Sequence, residues 1–317
     1  MTEFAIGIDI GGTNTAIAAV GNTGHILQQI TVATQSHPDF DAFFRALCTA
    51  IDALQHHGQL IGIGLGAPAG NRFDGSITAP ANVAWQGSIP IGTMLAEKYP
   101  TTVVIDNDAN AAAIGEMQYG AAQGLQNFIL ITLGTGLGSG IVIDGQLRYG
   151  AHGYAGELGH ISINPQGRHC GCGRKGCLET YVSANGLRRT LAELIAQTNR
   201  PSPLRNQKFD EITALEIAQA AENGDTLAQE VFDYTGQILG NALANWAAFS
   251  DPEAYILFGG LAKSGQLLLA PSQKSFTENL LFLYRDKVAL KLSDLNEQNA
   301  GVLGSAALAW KEKTDKM

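Results

Sequence analysis

The sequence predicts an α/β protein of two lobes, each built on the same β-meander. Three observations carry that reading. The chain has 317 residues, above the roughly 250–300 that one hydrophobic core usually serves. Residues 4–27 (FAIGIDIGGTNTAIAAVGNTGHIL) and 128–150 (FILITLGTGLGSGIVIDGQLRYG) follow one order: strand, glycine turn, strand, tight turn, strand. Between and after these repeats, strand and helix patterns alternate, as they do when helices cover a sheet.

The first meander shows strand periodicity at Phe4, Ile6, Ile8 and Ile10, continues through Ile17 to Val20, and opens a third strand after GNTG. Residues 39–57 have a helical period, and Gly58 stops them. LIGIGLGAP (60–68) and TVVIDND (102–108) read as buried strands, and ANAAAIGEMQYG as a helix beginning near Asp108. GHISI (159–163) reads as a strand carrying His160. Beyond residue 180 the pattern is mostly helical, over 184–198, 211–223 and 225–249, with a loop at 199–208. AYILFGG (254–260) is the last clear strand, and GSAALAWKEK (304–313) closes the chain as a helix. The expected division is an N-terminal lobe at 1–116, with the helix at 303–314 packing back on it, and a C-terminal lobe at 117–302.

Composition excludes several partners. The formal net charge is −9, from 29 acidic against 20 basic residues, which disfavours nucleic acid and acidic membranes. The uncharged window from Met117 to Ile143 is interrupted by Gln118, Gln123, Gln126, Asn127 and several glycines, so it reads as buried sheet rather than a membrane span. The acidic start runs directly into a strand with no basic, apolar leader. The expected location is therefore cytoplasmic, where clustered cysteines signal metal or redox chemistry more often than disulfides.

The chemistry-bearing residues fall in a few short stretches. DIGGTNT (9–15) and LGTGLG (133–138) place small residues where a strand reverses. Such turns either close a hairpin or let backbone N–H groups approach an anion, with Thr13 and Thr135 adding hydroxyls. Two like turns in duplicated lobes suit one phosphate chain held from two sides. Neither is followed by Gly-Lys-Ser/Thr, and neither leads straight into a helix, so P-loop and dinucleotide sites are disfavoured. Asp9 ends the first strand as either a turn cap or an Mg²⁺ ligand through water. GGLAKSG (259–265) is either a strand-to-helix turn or a cover for adenine or ribose. Asp108 is either a helix N-cap, with Asn107 as a turn residue, or a general base for a loose phosphoryl transfer.

Three of the four cysteines, Cys170, Cys172 and Cys177, lie within HCGCGRKGCLE (169–179). Their spacing, with glycines at 171, 173 and 176, suits a closed structural zinc site needing one more ligand, from His160, His169 or His152. A redox dithiol is the competing reading. His169 adjoins Cys170, which strains shared ligation, whereas His160 can approach from across the loop. A metal here folds a loop that presents Glu157, Glu179 and a histidine to a polar ligand. Cys48, on an apolar helix, reads as core.

GIDIGGTNT, GAPAG, NVAW, DNDANAAA, LGTGLGSGIVIDGQLRYGAHGYAGELGH and CGCGRKGCLE, in this order, resemble the ROK family of repressors, uncharacterised reading frames and sugar kinases. The resemblance covers essentially the whole chain, and the spacing from His160 to Glu179 is highly specific. It implies an actin-like ATPase fold of the hexokinase type, two α/β lobes around a cleft. ATP would bind at Asp9, Gly11, Gly12, Thr13, Asn14, Gly134, Thr135, Gly136, Gly259 and Gly260. Asp108 matches the family's catalytic base. Gly70, Asn82, Asn107, Asp108, Glu157, His160 and Glu179 match its sugar-binding positions. His160, Cys170, Cys172 and Cys177 match its zinc ligands, with His160 offering its second nitrogen to the sugar. The chain departs from members that carry a basic residue after the first turn: it has Asn14, Thr15 and Ala16 there.

The implied activity is Mg²⁺–ATP-dependent phosphorylation of a hexose, foremost the 6-hydroxyl of glucose. Kinases of N-acetylglucosamine, N-acetylmannosamine or fructose are the alternatives. A homodimer is implied by analogy with the family. A sugar-responsive repressor is disfavoured because the first strand starts near Phe4, leaving no room for a DNA-binding domain ahead of it. A nucleic-acid zinc knuckle fails on charge and on the lack of interleaved aromatic and basic residues.

Overall fold

The computed structural model describes residues 2–37, 39–78, 85 and 87–315. The first meander is β1 (Glu3–Ile10), β2 (Asn14–Val20) and β3 (Ile26–Ala33), followed by α1 (Phe40–Leu54) and β4 (Gln59–Ala67). Short strands β5 (Gly70–Asn71), β6 (Ser76–Thr78) and β7 (Ser88–Ile89) precede α2 (Ile91–Lys98), β8 (Thr102–Asn107) and α3 (Asp108–Tyr119). The second meander is β9 (Phe128–Leu133), β10 (Leu137–Ile143) and β11 (Gln146–Leu147). Then come α4 (Ala184–Gln197), α5 (Ala214–Glu222), α6 (Thr226–Ser250), β12 (Ala254–Phe258), α7 (Gln266–Asn279), β13 (Ala289–Leu292) and α8 (Glu297–Asp315).

The duplication read in the sequence is a duplication of topology. One five-stranded sheet has the order β3-β2-β1-β4-β8 and the other β11-β10-β9-β12-β13. In each, the hairpin is antiparallel and the strands beyond it run parallel. The fold is the α/β, actin-like ATPase type. The chain divides into two compact units, residues 1–124, 147–155 and 294–317 in one, and 125–146 and 156–293 in the other.

In the first unit, Phe4, Ile6, Ile8, Phe43, Leu47, Ile51 and Leu65 form a core between the sheet and α1. Cys48 is buried in it. The opposite face is covered by α8, which lies almost flat on the sheet: a Cβ on Gly7 would stand 2.0 Å from the Val302 carbonyl, and one on Gly64 1.7 Å from that of Ser305. Asp39 caps α1, accepting from the Ala42 N–H at 2.8 Å. The left-handed Gly58, φ 136°, turns the chain into β4.

In the second unit, Ile129, Ile131, Leu133, Leu187, Leu239, Leu243, Tyr255 and Phe276 build the core. The hairpin's far end is a two-residue turn, Asp144 at φ 53° and Gly145 at φ 69°, the conformation a twisted hairpin favours. Six elements escaped the sequence reading: the short strands β5, β6 and β7, and α2, α7 and β13. α2 has only eight residues. α7 carries Pro271 inside it, which masks a helical pattern. β13 is a four-residue strand added in parallel to β12, so AYILFGG is not the last strand. GHISI is not a strand either: Leu158–His160 is a single 3₁₀ turn, and Ser162 makes an isolated bridge with Cys177. Among the described residues, no helix is long and apolar enough to cross a membrane.

Candidate active site

In the first unit, the turn at 11–14 joins β1 to β2, with the Gly11 N–H donating to the Asn14 carbonyl at 3.0 Å. None of Gly11, Gly12, Gly134 and Gly136 lies in the left-handed region. At Gly11 the missing side chain is what makes room: a Cβ there would stand 2.7 Å from the Asn14 carbonyl oxygen. Asp9 sits at the end of β1, and Gly301 of α8 makes room for it, since a Cβ there would lie 2.0 Å from Asp9 Oδ2. Surrounding protein, and then the charge of Asp108, raise the Asp9 carboxyl to about 6.

β8 ends at Asn107 and α3 begins at Asp108. The cap is Asn107, whose Oδ1 accepts the Ala109 N–H at 2.8 Å, so the expected Asp108 cap lies one residue too late. Asp108 is the first helical residue; its Oδ1 accepts the same N–H at 2.9 Å and its other oxygen is left to the outside. Its side chain is open to solvent, yet the surrounding protein holds its carboxyl above the ordinary range, against the opposing Ala109 bond. Gly70 packs on the end of the same strand, where a Cβ would stand 2.4 Å from the Asp106 carbonyl oxygen. Ala69 beside it is left-handed, at φ 55°, a strain typical of functional loops. Asn82 lies outside the described residues.

In the second unit, Gly134, Thr135 and Gly136 form the turn between β9 and β10, and Gly134 has open space where a side chain would be. His160, Cys170, Cys172 and Cys177 converge, with their ligand atoms within 4.8 Å of one another. His160 Nδ1 lies 3.7 Å from Cys170 Sγ, and the Cys172 and Cys177 sulfurs lie 3.6 Å apart. Ligands about 2.0–2.3 Å from a tetrahedral zinc stand roughly 3.5–3.8 Å from each other, so this donor set fits one. Among the three histidines weighed, it is His160 that joins the cysteines. With Nδ1 on that side, Nε2 faces Glu157, 3.9 Å from its Oε2. Glu179 follows the last cysteine on a 3₁₀ turn; its Oε2 accepts the Leu137 N–H at 3.0 Å and its Oε1 lies 3.9 Å from Cys170 Sγ.

Gly259 and Gly260 follow β12. Gly259 is left-handed, at φ 100°, and a Cβ there would stand 2.8 Å from the Leu133 carbonyl oxygen. Gly260 lines a cavity of about 290 Å³, walled by Ala214, Leu215 and Ala218 of α5 and by Leu261, Lys263 and Ser264. The size and mixed apolar and polar lining suit a planar heterocycle.

Sequence reasoning missed the supports of these groups. Asp106 is buried and holds the turn into α3: its Oδ1 accepts the Asn107 N–H and Asn110 Nδ2, each at 2.8 Å. Burial raises its carboxyl against those bonds. Tyr149 lies beside it, its phenol pushed up by burial and then by the Asp106 charge. In the sequence Asp106 is visible only as the end of the buried strand TVVIDND. The α5 wall of the cavity carried no motif at all.

Comparison with known proteins shows the family. The ROK family model matches residues 5–312. A glucokinase from Halalkalibacterium halodurans is 36% identical over 314 residues, covering 96% of this chain and 94% of the relative. An N-acetylgalactosamine kinase from Shewanella is 34% identical, covering 95% of each chain. Among solved structures, a ROK glucokinase from Streptomyces griseus, in complex with glucose and AMPPNP, is 36% identical with a TM-score of 0.80, over 97% of this chain and 99% of that one. Duplicated sheets, a Cys₃His cluster and a family match from end to end leave one assignment: this chain belongs to the ROK family.

Proposed function

We propose that this chain is an ATP-dependent hexose kinase that phosphorylates the 6-hydroxyl of glucose. The observation that carries the reading is Asp108, an open carboxylate on the first turn of α3 with its affinity for protons raised by its surroundings. Such a group accepts a proton better than an exposed aspartate. Near-full-length likeness to glucokinases supports the choice of sugar.

In this reading, Asp108 takes the proton of the 6-hydroxyl as that oxygen bonds the γ-phosphorus, and the bond to the bridging oxygen breaks to release ADP. Asn107, Gly70, Asn82, Glu157, His160 and Glu179 hold the sugar hydroxyls. The turns at 11–14 and 134–136 take the phosphates through backbone N–H groups, and Gly259 and Gly260 lie by the adenosine. Mg²⁺ bound with ATP neutralises phosphate charge. Asp9 holds that ion in place through its ionised carboxylate. His160, Cys170, Cys172 and Cys177 would hold a structural Zn²⁺, which would fix the loop that presents Glu157, His160 and Glu179. A cytosolic homodimer belongs to the same reading, supported by Tyr234 and Phe249 exposed on α6.

The test is kcat/KM with Mg²⁺–ATP across glucose, N-acetylglucosamine, N-acetylmannosamine, N-acetylgalactosamine, mannose and fructose. Glucose should dominate. Dominance of an N-acetyl sugar would move the substrate assignment, and no turnover on any of them would overturn the kinase reading.

A further inference from the structure

The second glycine turn does not hold its own shape. Three bonds reach it from residues 179–185: Glu179 Oε2 accepts the Leu137 N–H at 3.0 Å, the Ala184 N–H donates to the Gly134 carbonyl at 2.9 Å, and Asn185 Nδ2 donates to the Thr135 carbonyl at 3.1 Å. Within the reversal itself, the Gly134 N–H donates to the Gly136 carbonyl at 3.0 Å and the Gly138 N–H donates to Thr132 Oγ1 at 3.1 Å. The approach is close enough that a Cβ on Gly136 would stand 2.4 Å from Glu179 Oε2.

The bracing segment is itself tied to the cysteine cluster. Thr180 bonds the Cys177 carbonyl through its N–H at 3.0 Å and its hydroxyl at 2.7 Å. Ser183 donates its hydroxyl to the Glu179 carbonyl at 2.8 Å and caps α4 by accepting from the Gly186 N–H. Asn185 is the second residue of α4, and Arg188 donates to its Oδ1. Because Arg188 is only a donor, it fixes which end of the amide is oxygen. Nδ2 therefore faces the turn.

We infer that Asn185 is a positioning residue for the nucleotide: with Glu179 and Ala184, it holds the 134–136 turn in its phosphate-binding form. The cysteine cluster thereby supports nucleotide binding as well as sugar binding. The inference rests on the proposal that this turn takes ATP phosphates.

Asn185→Asp separates positioning from stability. It keeps the side-chain shape and places a negative charge on the first turn of α4, which favours the helix and its Arg188 neighbour. It loses the donor to Thr135. The expected result is an unchanged or higher melting temperature and full metal content. KM for ATP should rise by about fivefold, the worth of one such bond, while KM for glucose stays within twofold. Asn185→Ala should raise KM for ATP equally. Hydrogen exchange of the peptide spanning 133–138, measured without nucleotide, should quicken in both variants. Unchanged ATP KM with unchanged exchange overturns the inference. A wild-type protein that turns over no sugar would sink the proposed function instead, and the exchange measurement would still decide whether Asn185 braces the turn.

Discussion

The two glycine turns occupy equivalent places in equivalent sheets, yet what stands behind them differs. Behind the turn at 11–14 are carboxylates: Asp9 on the same strand and Asp108 at the start of α3, close enough that the charge of one raises the other. Behind the turn at 134–136 are a Cys₃His cluster and a bracing segment, with Glu179 as the shared residue. In the proposed function the duplicated hairpin serves as a common frame for phosphates, with Asp108 and Asp9 beside its first copy taking the proton and metal roles and the cysteine cluster beside its second bracing the ligand loop. Changes at Asp108 should therefore appear in kcat, changes at Asp9 in pH dependence, and changes behind the second turn in KM.

The largest effect expected on the second side comes from the cluster. Removal of its metal by a chelator, or Cys172→Ser, should raise KM for both glucose and ATP by at least about tenfold and lower the melting temperature. Metal analysis and steady-state kinetics on both substrates check this. Loss of sugar affinity alone would confine the cluster to one ligand and weaken the contrast between the turns.

A smaller effect is expected on the first side, from pH. Asp9 titrates near 6 in the folded chain, above its ordinary 3.8, because protein surrounds it and Asp108 repels its charge. The folded state therefore binds more protons than the unfolded one between those values, and stability falls as pH rises through that window. Asp9→Asn should raise the melting temperature at pH 7.5 by about 2–4 °C, with no gain at about pH 3, below both values. In the wild-type enzyme, KM for Mg²⁺–ATP should climb as pH drops below 6, because the protonated carboxyl no longer attracts the ion. A flat profile between pH 5 and 7 would remove Asp9 from the metal site.

How much of this was legible in the sequence follows from how each feature is encoded. The meanders were, because alternation at Phe4, Ile6, Ile8 and Ile10 places every other side chain in one core. The Cys₃His cluster was, because ligand types and spacing are its physical requirement. Pro271 hid α7, although its ring packs where a Cβ on Gly236 would stand 2.6 Å away, at the crossing of α6 and α7. The braces were least legible. Asn185 bonds a backbone carbonyl fifty positions away, and any residue supplies a carbonyl, so no pattern of residue types records the pair. Asp106 was visible only as the end of a strand, and its work is done by bonds to Asn107 and Asn110.

The central claim, that the first unit supplies the chemistry, is tested most directly by Asp108→Asn, with turnover and binding measured on the same preparation. The account predicts that kcat falls by about 10²–10⁴, while glucose and Mg²⁺–ATP affinities, read by calorimetry, stay within about threefold. Retained turnover, or a loss of affinity as large as the loss of rate, would contradict it.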